Sequence, residues 1–227
     1  MTLHGNGVGA VLFDLDGTLV DTAGDLGAAA NRMLERRALP PKPIAQLRPQ
    51  ASHGARGLLG VAFGVTPESP DYEALRVEFL ETYEKALCVE SRLFDTLDRL
   101  LARMEANHLP WGIVTNKVAR FTLPLLKQLD LATRAACVVC GDTTPHTKPH
   151  PAPMFEAARL AGVPAASCIY VGDDARDVAA GNAAGMQTIA ASYGYCGDSD
   201  PSSWHAGTVI DTPAELTALI ETTLKLA

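Results

Sequence analysis

The stretch AVLFDLDGTLVDT, residues 10–22, runs four apolar residues straight into two aspartates one residue apart. A short continuous apolar run followed by turn residues predicts a strand buried on both faces, the environment of a parallel sheet. Side chains two apart in an extended chain point the same way, so Asp14 and Asp16 face one site. Like charges at the end of a buried strand are costly unless a metal, a cation or a reaction offsets them. Gly17 permits a tight departure from the strand, and Thr18 adds a hydroxyl.

Similar apolar runs recur at 111–115, 136–140, 168–171 and 188–191, with a weaker one at 208–210. Helical patterns lie between them. Leu97, Leu100, Leu101 and Met104 share one side of a helix, with Asp95 or Thr96 before it as N-cap. A helix from Pro153 stops at Gly162, and Thr212, Pro213 and Glu215 open the last one as a capping box. Strands alternating with helices predict an α/β fold: a Rossmann-like, doubly wound parallel sheet. Residues 21–92 interrupt that rhythm with helical, proline-rich and glycine-containing segments and no convincing strand. Leu75, Phe79, Tyr83 and Leu87 line one face of the last helix there, and Glu81 and Lys85 form a surface pair. The expected organisation is therefore a core of residues 1–20 and 93–227, with an all-helical insertion at 21–92.

The bulk composition narrows the function. The chain has 227 residues, 47% hydrophobic and 20% charged, and a net charge of −7 without a Lys/Arg cluster, which disfavours nucleic acid. The absence of a long apolar stretch argues against a membrane span, and no secretory signal is visible at the N-terminus. Five irregularly spaced cysteines fit a reducing cytoplasm better than a disulfide framework.

In a parallel sheet, ligands bind beyond the carboxyl ends of the strands. The polar residues just past each predicted strand form a coherent set. The first strand delivers Asp14 and Asp16, and the second ends in Thr115 and Asn116. The third is followed by Lys148, and the fourth by Asp173, Asp174 and Asp177. Four carboxylates opposed by a single lysine call for a divalent cation, and an oxygen-only ligand set selects Mg²⁺. An open Mg²⁺ shell beside carboxylates points to phosphoryl chemistry. Asp14, nearest the strand, is expected to be the nucleophile, and Asp16 to protonate the leaving alkoxide and then activate water. Mg²⁺ is expected on Asp14 and Asp173. Lys148, Thr115, Asn116 and the backbone around Gly17 are expected to hold the phosphoryl oxygens. Asp177 would orient the site from behind. In the inserted block, Arg56 and His53 of SHGARG are candidate contacts for a substrate carboxylate.

The motifs DLDGT, VTN, TKPHP and GDDARD, in this order and spacing, resemble the haloacid dehalogenase superfamily of phosphatases. The resemblance implies an aspartyl-phosphate on Asp14 and Mg²⁺ bound by Asp14, Asp173 and the Asp16 main-chain carbonyl. It also implies a helical cap that closes over the substrate. Within the superfamily, GIVTNKVARF, KPHPAP and YGY (193–195) are similar to phosphoglycolate phosphatases. GARGLLGVAF, DYEALRVEFLETY and LPWGIVTNK are similar to N-acetylmuramic acid 6-phosphate phosphatases. The implied substrate is a small phosphorylated acid. Asp174 stands where relatives often carry a small polar residue, so Asp173 and Asp174 are both candidates for the metal, with Asp173 preferred.

Other readings of the same residues remain distinct. A sugar phosphomutase would use the same aspartate pair while excluding water. A phosphonate hydrolase would need a Schiff-base lysine in the insertion, where only Lys42 and Lys85 are available. A dehalogenase would need neither Asp16 nor Mg²⁺. A phospho-accepting receiver domain shares acidic, Thr and Lys stations but lacks a reason for Asp16 or for the insertion.

Overall fold

The computed structural model describes residues 7–197 and 199–226. Strand β1 (Ala10–Phe13) is completely buried. Val11 and Phe13 enter the larger apolar core on one face of the sheet, and Ala10 and Leu12 a second core on the other. That two-sided burial explains the unbroken apolar run. The chain then turns into β2 (Val20–Asp21) and the helices α1 (Ala23–Glu35), α2 (Ile44–Leu47), α3 (Gly54–Phe63) and α4 (Tyr72–Glu84). It returns through β3 (Arg92–Leu93), which pairs antiparallel with β2, Val20 opposite Leu93 and Asp21 opposite Arg92.

From there strands and helices alternate: α5 (Leu97–Ala106), β4 (Trp111–Val114), α6 (Ala119–Gln128), β5 (Cys137–Val139), α7 (Ala152–Leu160), β6 (Cys168–Gly172), α8 (Ala175–Ala183), β7 (Gln187–Ala191), β8 (Thr208–Ile210) and α9 (Pro213–Leu224). Six strands form one parallel sheet in the order β5-β4-β1-β6-β7-β8. The fold is a doubly wound α/β sheet. Since the chain leaves β1 toward β4 and later crosses back to β6, β1 stands at the topological switch point, where a crevice opens beyond the strand ends.

Local details depart from expectation in instructive ways. The runs at 111–115 and 136–140 shorten to Trp111–Val114 and Cys137–Val139, because the chain turns away once Thr115 N–H has bonded to the Val139 carbonyl. The β2–β3 pair, two residues per strand, is too short to leave a periodic pattern. Thr96 precedes α5, but its hydroxyl meets Thr217 Oγ1 (2.8 Å) and so ties α5 to α9. Helix α4 ends one residue short of Lys85, and it is Glu84 that forms an ion pair, with Arg120 on α6. The stops and starts at α7 and α9 follow their residues. Gly162 takes a positive φ of 72° while Val163 N–H bonds back to Ala158 O (3.0 Å), and Thr212 Oγ1 accepts from Glu215 N–H (3.1 Å).

One buried carboxylate clasps the inserted helices at their base. Asp25 of α1 accepts hydrogen bonds from the backbone N–H groups of Val89 (3.0 Å), Glu90 (3.1 Å) and Ser91 (2.9 Å) and from the Ser91 hydroxyl (2.6 Å). It thereby fixes the segment that re-enters the core ahead of β3. Asp25→Ala leaves these donors buried without a partner, and the expected cost is about 3 kcal/mol in chemical unfolding. A loss below about 1 kcal/mol would show that the clasp carries no load.

Candidate active site

The switch point gathers most of the polar stations. Asp14 follows β1 directly, and its N–H bonds to the Val171 carbonyl of β6 (2.8 Å), so its backbone is fixed by the sheet. Asp173 follows β6, and one turn of α8 brings Asp177 back toward it. One oxygen from each of Asp14, Asp173 and Asp177 lies within 4.8 Å of the others, and all three side chains are buried. Close approach is built into the backbone. A Cβ at Gly172 would collide with Asp177, and one at Gly17 or Gly194 with Asp173.

Lys148 reaches into this cluster from the loop after β5. Its ammonium lies 2.7 Å from Asp14 Oδ1 and 2.6 Å from Asp177 Oδ1, and donates to the Val114 carbonyl and the Tyr170 hydroxyl, each at 2.9 Å. Asn116 holds the Lys148 loop in place: its amide donates to the Lys148 carbonyl and accepts from the Lys148 N–H, both at 3.0 Å. The Asn116 side chain is thus engaged by protein and braces the loop that carries Lys148. Gly17 is likewise engaged within the chain. Its N–H donates to Val20 O (2.9 Å) inside the turn, and its positive φ of 89° and missing Cβ serve the approach of Asp173.

The expected single lysine is in fact two. Lys117, next to Thr115 and Asn116, places its ammonium 2.7 Å from Asp16 Oδ1, which also accepts from the Thr22 hydroxyl (2.6 Å). The sequence signal was present, since Lys117 continues the same strand-end turn. A charge count over the residues just past each strand reaches Lys148 but stops one short of Lys117.

Asp173 and Asp174 separate cleanly. Asp173 is fully buried and accepts from Thr18 Oγ1 (3.0 Å), Ser52 Oγ (3.0 Å) and Tyr195 N–H (2.8 Å), all of them neutral donors. Asp174 caps α8 and is paired with Arg176 at 2.8 Å. Asp174 therefore serves the helix and its own arginine.

A cavity of about 370 Å³ lies between these residues and the inserted helices. Asp14, Asp16, Thr115, Asn116, Lys148, Asp174, Asp177 and His53 line it, as do Lys117 and Arg176. On the helical side stand Leu26, Ser52, Arg76, Phe79, Leu80 and Tyr83. His53 lies at the rim, its Nε2 4.0 Å from Asp174 Oδ2. Arg56 is exposed and borders a separate shallow depression with Gln50 and Val65. It follows Ala55, which does line the cavity, and a helix turns about 100° per residue, so the arginine is carried off that face.

A family model for haloacid dehalogenase-like hydrolases matches residues 11–191. The chain is a haloacid dehalogenase-like hydrolase. A Pseudomonas putida protein named N-acetylmuramic acid 6-phosphate phosphatase is 44% identical over 216 residues, 95% of this chain and 97% of its own. A Xanthomonas campestris pv. campestris protein named phosphoglycolate phosphatase is 47% identical over 208 residues, 91% of this chain and 94% of its own. Full-length kinship of this kind makes the chain a phosphoric monoester hydrolase. The crystal structure of a predicted phosphoglycolate phosphatase from Haemophilus somnus 129PT shares the fold, with a TM-score of 0.82 at 24% identity over 94% of this chain and 98% of that one. No helix among the described residues is long and apolar enough to cross a membrane.

In this hydrolase the electrostatics of the buried cluster are unbalanced. Burial raises the Asp14 carboxyl from an ordinary 3.8 to about 7, Lys148 opposing the shift and Asp177 adding to it. Burial likewise pushes Asp173 upward, reinforced by Asp14 and Asp177. Burial also acts to raise Asp174, but its bond to Arg176 holds it below the usual range. A site that disfavours its own carboxylates, with their oxygens a few ångströms apart, suits a hard divalent cation.

The sign of the pH dependence follows. A raised folded-state carboxyl keeps a proton that the unfolded chain releases, so without a cation Asp14 withdraws stability as pH rises from about 4 to about 7. In metal-free buffer, wild type should lose melting temperature relative to Asp14→Asn between about pH 5 and about pH 8. Millimolar Mg²⁺ should flatten that difference. A difference already flat without metal would refute the buried acidic cluster.

Proposed function

We propose that this hydrolase is a Mg²⁺-dependent phosphomonoesterase working through an aspartyl-phosphate on Asp14, with N-acetylmuramate 6-phosphate as the better-fitting substrate and 2-phosphoglycolate as the competing one. The observation that carries the substrate choice is the chamber in front of Asp14 and Asp16. About 370 Å³, walled by Leu26, Phe79, Leu80, Tyr83, Val118 and Phe121, falls in the range of drug-sized ligand sites. Glycolate is a two-carbon acid and would leave most of that wall bare. A pyranose bearing an acetamide and a lactyl ether would cover it. Arg76 and Arg176 also line the chamber, each already paired with a carboxylate, Glu73 and Asp174 respectively.

The roles follow from which atoms are already engaged. Lys148 holds Asp14 Oδ1, leaving Oδ2 as the attacking oxygen. Asp16 likewise has Oδ1 bound by Thr22 and Lys117, so Oδ2 is the atom to give a proton to the leaving alkoxide and later take one from water. Thr115 and Lys148 line the same cavity as Asp14, which supports a part for both in holding phosphoryl oxygens. Both Asp177 oxygens are occupied, Oδ1 by Lys148 and Oδ2 by the Asp174 N–H, which supports an orienting role behind Asp14. Mg²⁺ held by Asp14, Asp173 and the Asp16 carbonyl would screen the approach of an anionic phosphate to an anionic carboxylate. Five free cysteines support residence in a reducing cytoplasm.

Two measurements test this reading. Asp14→Asn should lose about 10³-fold or more in kcat with its far-UV spectrum unchanged. Side by side, kcat/KM for N-acetylmuramate 6-phosphate should exceed that for 2-phosphoglycolate by at least about tenfold. The reverse order would overturn the substrate choice. Undiminished turnover by Asp14→Asn would overturn the nucleophile.

A further inference from the structure

Lys148 has more partners than hydrogens. Its ammonium carries three N–H groups. Four oxygens surround it: Asp14 Oδ1 (2.7 Å), Asp177 Oδ1 (2.6 Å), the Val114 carbonyl and the Tyr170 hydroxyl (2.9 Å each). With the carboxylates ionised, the first three of these can only accept. The Tyr170 hydroxyl carries a proton of its own, which reaches the Val114 carbonyl (3.0 Å) or Asp177 Oδ1 (3.1 Å). Tyr170 belongs to β6 and is 1% exposed, its side chain held in the second apolar core with Leu12, Val114 and Met154. Lys148 lines the cavity, and Tyr170 supports it from the protein side.

The network as it stands does not need this hydroxyl. A phenylalanine at 170 would leave three N–H groups facing three acceptors, without the cost of burying a further polar group. A bound phosphoryl group changes the count. Its oxygen is a fourth acceptor for Lys148, and three hydrogens cannot serve four acceptors. The hydroxyl supplies the fourth hydrogen. Tyr170 then donates to the Val114 carbonyl, while Lys148 keeps Asp14 and Asp177 and turns its third N–H to the phosphoryl oxygen. Lacking the hydroxyl, either the phosphoryl oxygen or a buried acceptor goes unserved, and a buried acceptor left so is costly.

We infer that Tyr170 is a positioning residue whose hydroxyl takes over the Val114 carbonyl and so releases one Lys148 N–H to the phosphoryl group. The inference rests on Lys148 being a phosphoryl ligand, as proposed above. Losing one hydrogen bond to a charged oxygen predicts an effect of about tenfold or more. Because the contact is made to the phosphoryl group, that factor is the same whatever the leaving group.

Inorganic phosphate, the reaction product, is the probe, measured in Mg²⁺ buffer as a competitive inhibitor. Tyr170→Phe should raise its inhibition constant about tenfold. The same variant should lower kcat/KM by a similar factor on both N-acetylmuramate 6-phosphate and 2-phosphoglycolate. Lys148→Met should raise the inhibition constant at least as much, and adding Tyr170→Phe to it should cost nothing further. An unchanged constant in Tyr170→Phe beside a raised one in Lys148→Met would overturn the inference while the Lys148 assignment stands. Unchanged constants in both would overturn that assignment, and the inference with it. A hydroxyl that is merely structural would lower the melting temperature and leave the inhibition constant alone, which also overturns the inference. Additive losses in the double variant would do the same, by showing that the hydroxyl acts without Lys148. Should Lys148→Met not fold, the single variant still decides, since a loss confined to one of the two esters contradicts a phosphoryl contact.

Discussion

Three carboxylates buried around one ammonium at the end of β1 impose the constraint that organises this molecule. Lys148 is shared between Asp14 and Asp177, so it balances at most one of them fully. Asp173 receives only neutral donors: the Thr18 and Ser52 hydroxyls and the Tyr195 N–H. The pocket is therefore short of positive charge by construction, although it is rich in hydrogen bonds. Hydrogen bonding relieves the desolvation of each carboxylate, but it does not remove the repulsion between them. A fold that kept this arrangement for stability alone would be better served by apolar residues of similar size. The deficit is the feature that the proposed cation and anionic substrate would relieve.

The second lysine divides the labour. Lys148 stands beside Asp14 and Lys117 beside Asp16. Each lysine holds Oδ1 of its aspartate. Two aspartates one residue apart thus acquire different surroundings. Asp14 is enclosed by other carboxylates, and Asp16 is tied to Thr22 just past β2. Separate environments for two like groups are what different proposed roles, nucleophile and acid–base, require.

Much of this was legible in the sequence, for a physical reason. Strands buried on both faces announce themselves as apolar runs, and the residue after each run must lie at the switch-point crevice. Asp14, Thr115 and Asp173 directly follow such runs, and Lys148 lies on the loop after another. What apolar runs do not encode depends on rotation and on distant contacts. Arg56 and Ala55 are neighbours in sequence, and only the azimuth of α3 sends one into the cavity and the other out of it. The bonds that Asn116 makes to the Lys148 backbone and Gly17 to Val20 are likewise invisible in the sequence. Tyr170 lies within an apolar run, and nothing in that pattern reveals that its hydroxyl meets Lys148 (2.9 Å). The partners of Ser52 and Tyr195 lie 121 and 22 residues away, and no local periodicity encodes them.

Those last two residues tie the inserted helices to the charged cluster. Tyr195 gives its N–H to Asp173, donates its hydroxyl to Asp21 (2.8 Å), and accepts there from the N–H groups of Thr22 (2.7 Å) and Ala23 (2.9 Å), where the chain leaves the core. Arg48, just before the Ser52 segment, lies over the Tyr195 ring (4.9 Å) and pairs with the same Asp21 (2.9 Å). Ser52 contacts Asp173 through its hydroxyl and Arg176 through its carbonyl (2.9 Å). Any movement of residues 48–53 away from the core must therefore break bonds to Asp173 and to Asp21 together. The carboxylate proposed for the cation is thus also one to which the helical insertion is fastened. By linkage, a ligand that changes the hydrogen-bonding capacity of Asp173 changes the stability of the docked insertion, and the docked insertion changes the affinity for that ligand by the same factor.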